Sequence, residues 1–170
     1  GAVLQSMGRA IDAELHPEAA FSEAATEHLD SSEGLRRWQR DHSWRRDGVR
    51  VSFKSAQLLW EQGRQCWRVQ FGHLPQSLDA ESTSEVWLAL YTPRGVYVYV
   101  HDRQLGLTRT GKEQEVLGRQ VRIVGSRGQT SWTAALDTIL AKLDASTSRR
   151  VCFVDFHQGS AAQSPSLLQL

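Results

Sequence analysis

The segment from residue 47 to residue 62 constrains the fold of this chain more than any other. From residue 49 onward, three apolar residues alternate with three polar ones: Val49, Val51 and Phe53 with Arg50, Ser52 and Lys54. Because successive side chains of a β-strand point to opposite faces, this alternation predicts a strand with one buried face. Lys54 is then on the more polar face. A lysine in that place is ordinarily solvated, or it guards a sheet edge against aggregation.

The composition is that of one ordinary folded domain. The 170 residues are 40% hydrophobic and 23% charged, which is enough for one core and too little for two. No apolar run approaches the roughly 20 residues that span a bilayer, and no secretory signal opens the chain, so we expect no membrane partner. Cys66 and Cys152 are far apart, and the histidines lack paired spacing, which argues against a disulfide scaffold and a zinc site. We expect a cytoplasmic (intracellular) protein with both thiols reduced.

The two ends of the chain are expected to lie outside the domain. Residues 1–6 resemble a viral main-protease recognition sequence left by recombinant expression, which would place the native start at Met7. Residues 158–170 are rich in Gly, Ser, Ala and Gln, which predicts a flexible tail. We therefore predict a single α/β domain over residues 7–157.

Helices are predicted from apolar spacing and end signals. Pro17 and the acidic residue after it predict a short amphipathic helix that continues to Leu29. Residues 56–61 lack strand alternation and predict a helical turn closed by Gly63. Residues 131–143 carry apolar side chains at helical spacing and predict a further helix.

Strands are predicted over residues 67–71, 86–91, 96–100, 120–124 and 151–156. The first of these should pair beside the strand that holds Lys54. The second is nearly all apolar, which predicts a central position, and a Thr-Pro-Arg-Gly turn should join it to the third as a hairpin. The expected fold is α/β (α+β), with a mixed, largely antiparallel central sheet flanked by helices.

Charge is distributed unevenly along the first third of the chain. Residues 1–33 carry seven acids and one arginine, whereas residues 34–54 carry seven bases and two aspartates. A basic segment with interleaved tryptophans is typical of surfaces that bind phosphate backbones, and it predicts a nucleic-acid interface. The predicted interface residues are Arg36, Arg37, Arg40, Trp44, Arg45, Arg46 and Arg50. The alternative is a solvated face that the preceding acidic segment neutralises.

The segment Asp-Gly-Val-Arg-Val-Ser-Phe-Lys-Ser-Ala, with a short helix before it and the strand 67–71 after it, resembles a known superfamily. It is similar to the restriction-endonuclease-like, or PD-(D/E)XK, nucleases over about residues 33–100. The resemblance implies that fold and Mg²⁺-dependent cleavage of DNA. Because a duplex has two equivalent strands, it also implies a symmetric homodimer. The chain departs from the pattern at Ser52, where the superfamily carries an acidic residue.

The resemblance also implies roles for individual residues. Lys54 would stabilise charge on the attacked phosphate, and Mg²⁺ would be held by Asp47, or by Asp41 if a strand runs over residues 42–46. The acidic ligand missing at Ser52 would come from elsewhere in the chain, and a glutamine would position water. The implied catalytic residues are Lys54, Asp47, Asp41, Glu61 and Gln57, and the implied metal ligands are Asp47, Asp41, Glu61 and Glu33.

Two alternatives remain open at the level of sequence. In the first, the protein is a catalytically inactive relative that only binds DNA, because the hydroxyl of Ser52 is a neutral, weak ligand for Mg²⁺. Otherwise it is a non-enzymatic interaction module, in which the hairpin and a tryptophan-rich face bind a protein partner.

Overall fold

The computed structural model of the protein describes residues 2–23, 43–74, 84–101, 119–145 and 148–157. Within these ranges the chain forms two helices, α1 (Ala2–Leu15) and α2 (Trp132–Asp144), and one short 3₁₀ helix (Gln62–Arg64). The strands are β1 (Phe21–Glu23), β2 (Ser43–Arg46), β3 (Val49–Gln57), β4 (Leu59–Glu61), β5 (Cys66–Leu74), β6 (Ser84–Tyr91), β7 (Gly95–His101), β8 (Arg119–Val124) and β9 (Arg149–Asp155). No helix in the described ranges is long and apolar enough to cross a membrane.

The strands form two sheets. The larger sheet has the order β1-β2-β3-β6-β7-β9, and the smaller sheet has the order β4-β5-β8. Only the β3–β6 pairing is parallel, and the other neighbours are antiparallel. The predicted class, α+β with a mixed and largely antiparallel sheet, is confirmed.

An Asp-Gly turn fixes the register of the β2–β3 hairpin. Asp47 and Gly48 both have positive φ values, 47° and 79°, as a two-residue hairpin turn requires. The side chain of Asp47 accepts a hydrogen bond from the Ala20 N–H at 2.8 Å, and the backbone N–H of Asp47 donates to the Ala20 carbonyl at 2.9 Å. With this register, Ser43 lies directly opposite Ser52.

The two faces of the larger sheet bury separate apolar clusters. Helix α1 covers one face, where Ile11 packs with Trp44, Phe53 and Trp87. The smaller sheet and α2 cover the other face, where Leu88 packs with apolar residues of β5, β8 and α2. We call these the α1-side core and the α2-side core.

The hairpin and the long helix predicted from the sequence are confirmed. Strand β6 lies between β3 and β7, and residues 86–90 are at most 2% exposed, which agrees with a central, doubly covered strand. Ser131 caps α2 by accepting a hydrogen bond from the Ala134 N–H, and the predicted apolar face of this helix is buried.

Three local predictions were wrong. Instead of a helix from Pro17, the chain forms strand β1, because Phe21 pairs with Arg46 beside the Asp47 turn; residues 24–29 of that prediction lie outside the described ranges. Instead of a helical turn, residues 56–61 continue as strand, and Leu58 donates its N–H to the Tyr91 carbonyl at 3.2 Å. Strand β5 pairs with β4 and β8 in the smaller sheet, not beside β3.

The expected boundary at Met7 falls inside a helix. Helix α1 begins at Ala2, and Leu4 and Met7 both pack against the α1-side core. Gly8 lets this helix approach the sheet, because a Cβ atom there would lie 2.5 Å from a ring carbon of Phe53.

We predict that Gly8→Ala lowers the free energy of unfolding by about 1–2 kcal/mol. Alanine gains up to about 1 kcal/mol of helix propensity, but inserting a methyl group against a fully packed ring costs about 1–3 kcal/mol. Phe53 is 1% exposed, so its ring has little room to move. Urea unfolding measures the difference.

The control for this prediction is Gly63→Ala. Gly63 is exposed in the 3₁₀ helix, and nothing lies within 4 Å of the position that a Cβ atom would take there. The free energy of unfolding of this variant should change by less than about 0.5 kcal/mol. A Gly8→Ala protein as stable as wild type would contradict the close approach of α1 to β3.

Candidate nucleic-acid interface

Lys54 and Ser52 point into the protein from the same face of β3. In the parallel register, Lys54 is opposite Leu88 and Ser52 is opposite Val86, so both residues share the face of the α2-side core. The alternation predicted from the sequence is correct, but its polar face is not a solvent face, since Lys54 is 7% and Ser52 0% exposed. Lys54 already has a polar or electrostatic partner within the protein.

Two more cationic residues lie on this face of the β2–β3 hairpin. Arg45 is directly opposite Arg50, and Arg50 is two residues from Ser52 and four from Lys54. Arg45 donates a hydrogen bond to the Gly48 carbonyl at 3.1 Å. Arg50 also has a polar or electrostatic partner within the protein. We call Arg45, Arg50 and Lys54 the hairpin cation row. Like charges directly opposite each other repel, and an anion close to both Arg45 and Arg50 would ease this repulsion.

Ser52 supplies a hydroxyl in the middle of the hairpin cation row. Its Oγ is buried and has no hydrogen-bond partner among the residues that the structure describes. A buried hydroxyl without a partner costs about 1–3 kcal/mol, so an additional acceptor or donor next to Ser52 would be stabilising. On β7, two strands away on the same face, His101 shares a 3.0 Å hydrogen bond with Ser148.

Asp47 does not meet Lys54. Asp47 occupies the hairpin turn, and seven residues of nearly extended chain separate it from Lys54, a distance of about 20 Å. Its carboxylate serves the turn by accepting from Ala20. The predicted metal-binding role of Asp47 therefore has no support in its position.

Gln57 and Glu61 are also directed away from Lys54. Gln57 is an odd-numbered residue of β3 and lies on the face opposite to Lys54. Glu61 is bound by arginines on the outer face of the smaller sheet, whereas Lys54 faces the core on the inner side. The sequence grouped these residues because they are close along the chain, but the strand pleat and the passage into a second sheet separate them.

Asp41 and Glu33 lie outside the described residues. The metal-binding role predicted for Asp41 required a strand over about residues 42–46, and β2 (Ser43–Arg46) is such a strand. Within the described ranges, no group of three or more His, Cys, Asp or Glu side chains is arranged to hold a metal ion.

Trp44 and Arg46 were predicted to contact nucleic acid, but both belong to the interior. Trp44 is 1% exposed and donates its indole N–H to the Asp12 carboxylate at 2.6 Å. Arg46 donates to Asp12 at 2.5 Å and to Glu85 at 2.7 Å. Burial alone would lower the pKa of Arg46, but its hydrogen bonds to Asp12 and Glu85 outweigh this effect and raise the pKa above the usual value.

Asp12 is the centre of this network. The residue is 0% exposed, and its carboxylate also lies 2.9 Å from Nδ1 of His16. The network ties α1 to β2 and, through Arg46 and Glu85, to β6. The predicted interface residues Arg36, Arg37 and Arg40 lie outside the described residues.

Sequence reasoning missed a second group of arginines. Arg68 on β5 and Arg122 on β8 lie on the outer face of the smaller sheet, and Arg64 lies in the 3₁₀ helix beside it. All three approach Glu61. Polar residues alternate with apolar ones over residues 66–71 and 119–124, and this alternation was the available signal. When the two strands pair, their polar side chains lie on one face of the sheet.

Comparisons of this chain with protein-family models, with curated proteins and with solved structures found no match.

We predict that Asp12→Asn lowers the free energy of unfolding by about 3 kcal/mol. The amide keeps the shape of the side chain but removes the charge that Arg46 pairs with, and it turns one of two acceptor oxygens into a donor. Thermal and urea unfolding test this. Glu14→Gln, at an exposed position of the same helix, is the control and should change stability by less than about 0.5 kcal/mol. Equal stability of the two variants would show that the network does not hold α1.

Proposed function

We propose that this protein binds nucleic acid along the β2–β3 hairpin without cleaving it. The observation that supports this most directly is the hairpin cation row, three positive side chains on one face of two paired strands with the hydroxyl of Ser52 among them. Guanidinium groups are donors that suit phosphate oxygens, and Arg45 and Arg50 are half-buried, whereas Lys54 and Ser52 are buried beside them and add charge and polarity from within. None of the described residues that form the α2-side core belongs to β1 or β2, so Arg45 lies beyond the apolar part of this face.

The chemistry at Ser52 favours binding over hydrolysis. A magnesium ion in a nuclease site is held by carboxylates, which supply negative charge as well as oxygen. The residue two positions before Lys54 is a buried hydroxyl, and Asp47 and Glu61 are engaged elsewhere. The fold proposed is restriction-endonuclease-like, with its cleavage chemistry reduced.

One observation favours a second candidate function, a Mg²⁺-dependent DNA endonuclease. Ser43 is directly opposite Ser52, and β2 (Ser43–Arg46) is the strand on which the predicted role of Asp41 depended. In this case Asp41, not Asp47, would contribute the metal-binding carboxylate. A Mg²⁺ ion held there would supply an activated water for phosphodiester hydrolysis, and Lys54 would offset the negative charge that develops on the phosphate.

We predict that the protein binds DNA in a salt-sensitive manner and that Arg45→Gln weakens this binding. Losing one phosphate contact should lower the slope of log K against log salt by about 0.9 for duplex and about 0.7 for single-stranded DNA. Fluorescence anisotropy with labelled oligonucleotides at several salt concentrations measures the slope. Arg94→Gln, an exposed arginine in the β6–β7 turn, is the control and should leave the slope unchanged.

Incubation with supercoiled plasmid and with branched or single-stranded DNA, in Mg²⁺, Mn²⁺ or EDTA, separates the two candidates. We expect binding and no nicking. Metal-dependent nicking that is lost in Lys54→Ala and Asp41→Asn but kept in Asp47→Asn would establish the endonuclease instead. Absence of both binding and nicking would overturn the proposal and leave the protein-interaction module.

A further inference from the structure

The arginine cluster, defined as Arg64, Arg68 and Arg122, gathers three positive charges around one carboxylate. Arg122 donates to Glu61 Oε2, Arg68 Nε lies 3.4 Å from the same oxygen, and Arg64 Nε lies 3.6 Å from Glu61 Oε1. Among the residues that the structure describes, one acid facing three bases leaves this group with two formal positive charges. The side chains of Arg64, Arg68 and Arg122 remain 62%, 27% and 22% exposed.

Glu61 cannot satisfy the donors that surround it. A carboxylate offers about four lone-pair directions, whereas each guanidinium carries five N–H donors. The Nε atoms of Arg68 and Arg122 are buried and have no hydrogen-bond partner in the described ranges. The cluster is therefore short of acceptors, which an anion with several oxygens would supply.

Side-chain amides hold Arg68 in place. Arg68 donates to Gln70 Oε1 at 2.6 Å, and Gln70 Nε2 donates to Gln120 Oε1 at 2.5 Å. These two glutamines lie on the same face of β5 and β8 as Arg122, which Glu61 holds instead. A guanidinium fixed in this way loses less side-chain entropy when it binds a ligand, so Arg68 and Arg122 are pre-organised for an oxyanion.

We propose that the arginine cluster is a second contact surface for the phosphodiester backbone of a nucleic acid, and that Glu61 competes with phosphate for it. This inference rests on the proposed function and adds a surface to it. The cluster lies on the outer side of the smaller sheet, whereas the hairpin cation row lies on the larger sheet and faces the α2-side core. A nucleic-acid backbone suits the cluster better than an isolated carboxylate, because successive phosphodiesters each present two charged oxygens and can reach several guanidinium groups at once.

The competition by Glu61 predicts effects of opposite sign. Glu61→Gln removes the competing charge and keeps the side-chain shape, so the affinity for an oligonucleotide should rise about threefold to tenfold. Arg68→Gln/Arg122→Gln should lower the affinity and reduce the salt slope by about 1.4 for a single strand or about 1.8 for a duplex. Arg94→Gln/Arg149→Gln, which changes two exposed arginines in the β6–β7 turn and on β9, is the matched control.

Anisotropy measurements with one labelled oligonucleotide, offered single-stranded and as a duplex, test this inference, and circular dichroism confirms the fold of each variant. If the double arginine variant does not fold, the gain in Glu61→Gln remains a test by itself. If wild type binds the oligonucleotide, and Glu61→Gln and the double arginine variant bind it with the same affinity and the same salt slope as wild type, the inference is overturned and the proposed function stands. No binding of any oligonucleotide by wild type would overturn the proposed function as well, and binding of a polyglutamate peptide instead would assign the cluster to an acidic protein partner.

Discussion

The continuity of β3 and β4 is the constraint on which the rest of this structure depends. Strand β3 pairs with β2 on one side and β6 on the other, and after Leu58 the same chain pairs with β5 as β4. Both sheets are therefore tied to one nearly extended segment of 13 residues, Val49–Glu61. The α2-side core fills the space that this connection encloses. Arg50 and Lys54 of the hairpin cation row lie in this segment, and Glu61, around which the arginine cluster gathers, is its last residue.

A buried ion pair decides which basic residues remain able to bind a ligand. Arg46 is held by Asp12 and Glu85, so the charge that the sequence counts as part of a basic surface is neutralised inside the fold. Breaking such a pair costs more than a surface charge contributes, because the remaining partner is left buried. Arg45, one residue away, points to the other face and is not part of this network. The net charge counted along a segment of sequence is therefore a poor measure of the charge that the folded segment presents at the surface.

Sequence patterns with a short physical period predicted the fold best. The alternation of residues 49–54, the apolar run at residues 86–91 and the helical spacing of residues 131–143 depend only on neighbours along the chain. The structure confirms the two strands and the helix that they predict, but both faces of the first strand are buried. The helix predicted from Pro17 failed because strand pairing with Arg46 outweighed local propensity. The convergence of Asp47, Gln57 and Glu61 failed because strand geometry separates residues that are near in sequence. The arginine cluster required knowing that β5 pairs with β8, which no local pattern gives.

The packing around Ser52 explains why β3 does not supply the acidic ligand of a nuclease. Ser52 is 0% exposed beside Val86, and a glutamate there would bury about three additional heavy atoms and a charge against a filled core. A hydroxyl fits that volume without an ionic partner, so the fold is consistent with the side chain that the sequence carries. In the proposed endonuclease alternative, a carboxylate that acts with Lys54 would come from another strand, and β2 is the neighbour of β3 at this point, with Ser43 opposite Ser52. The first strand of the hairpin, and not the strand that carries the lysine, is where catalysis would be retained or lost.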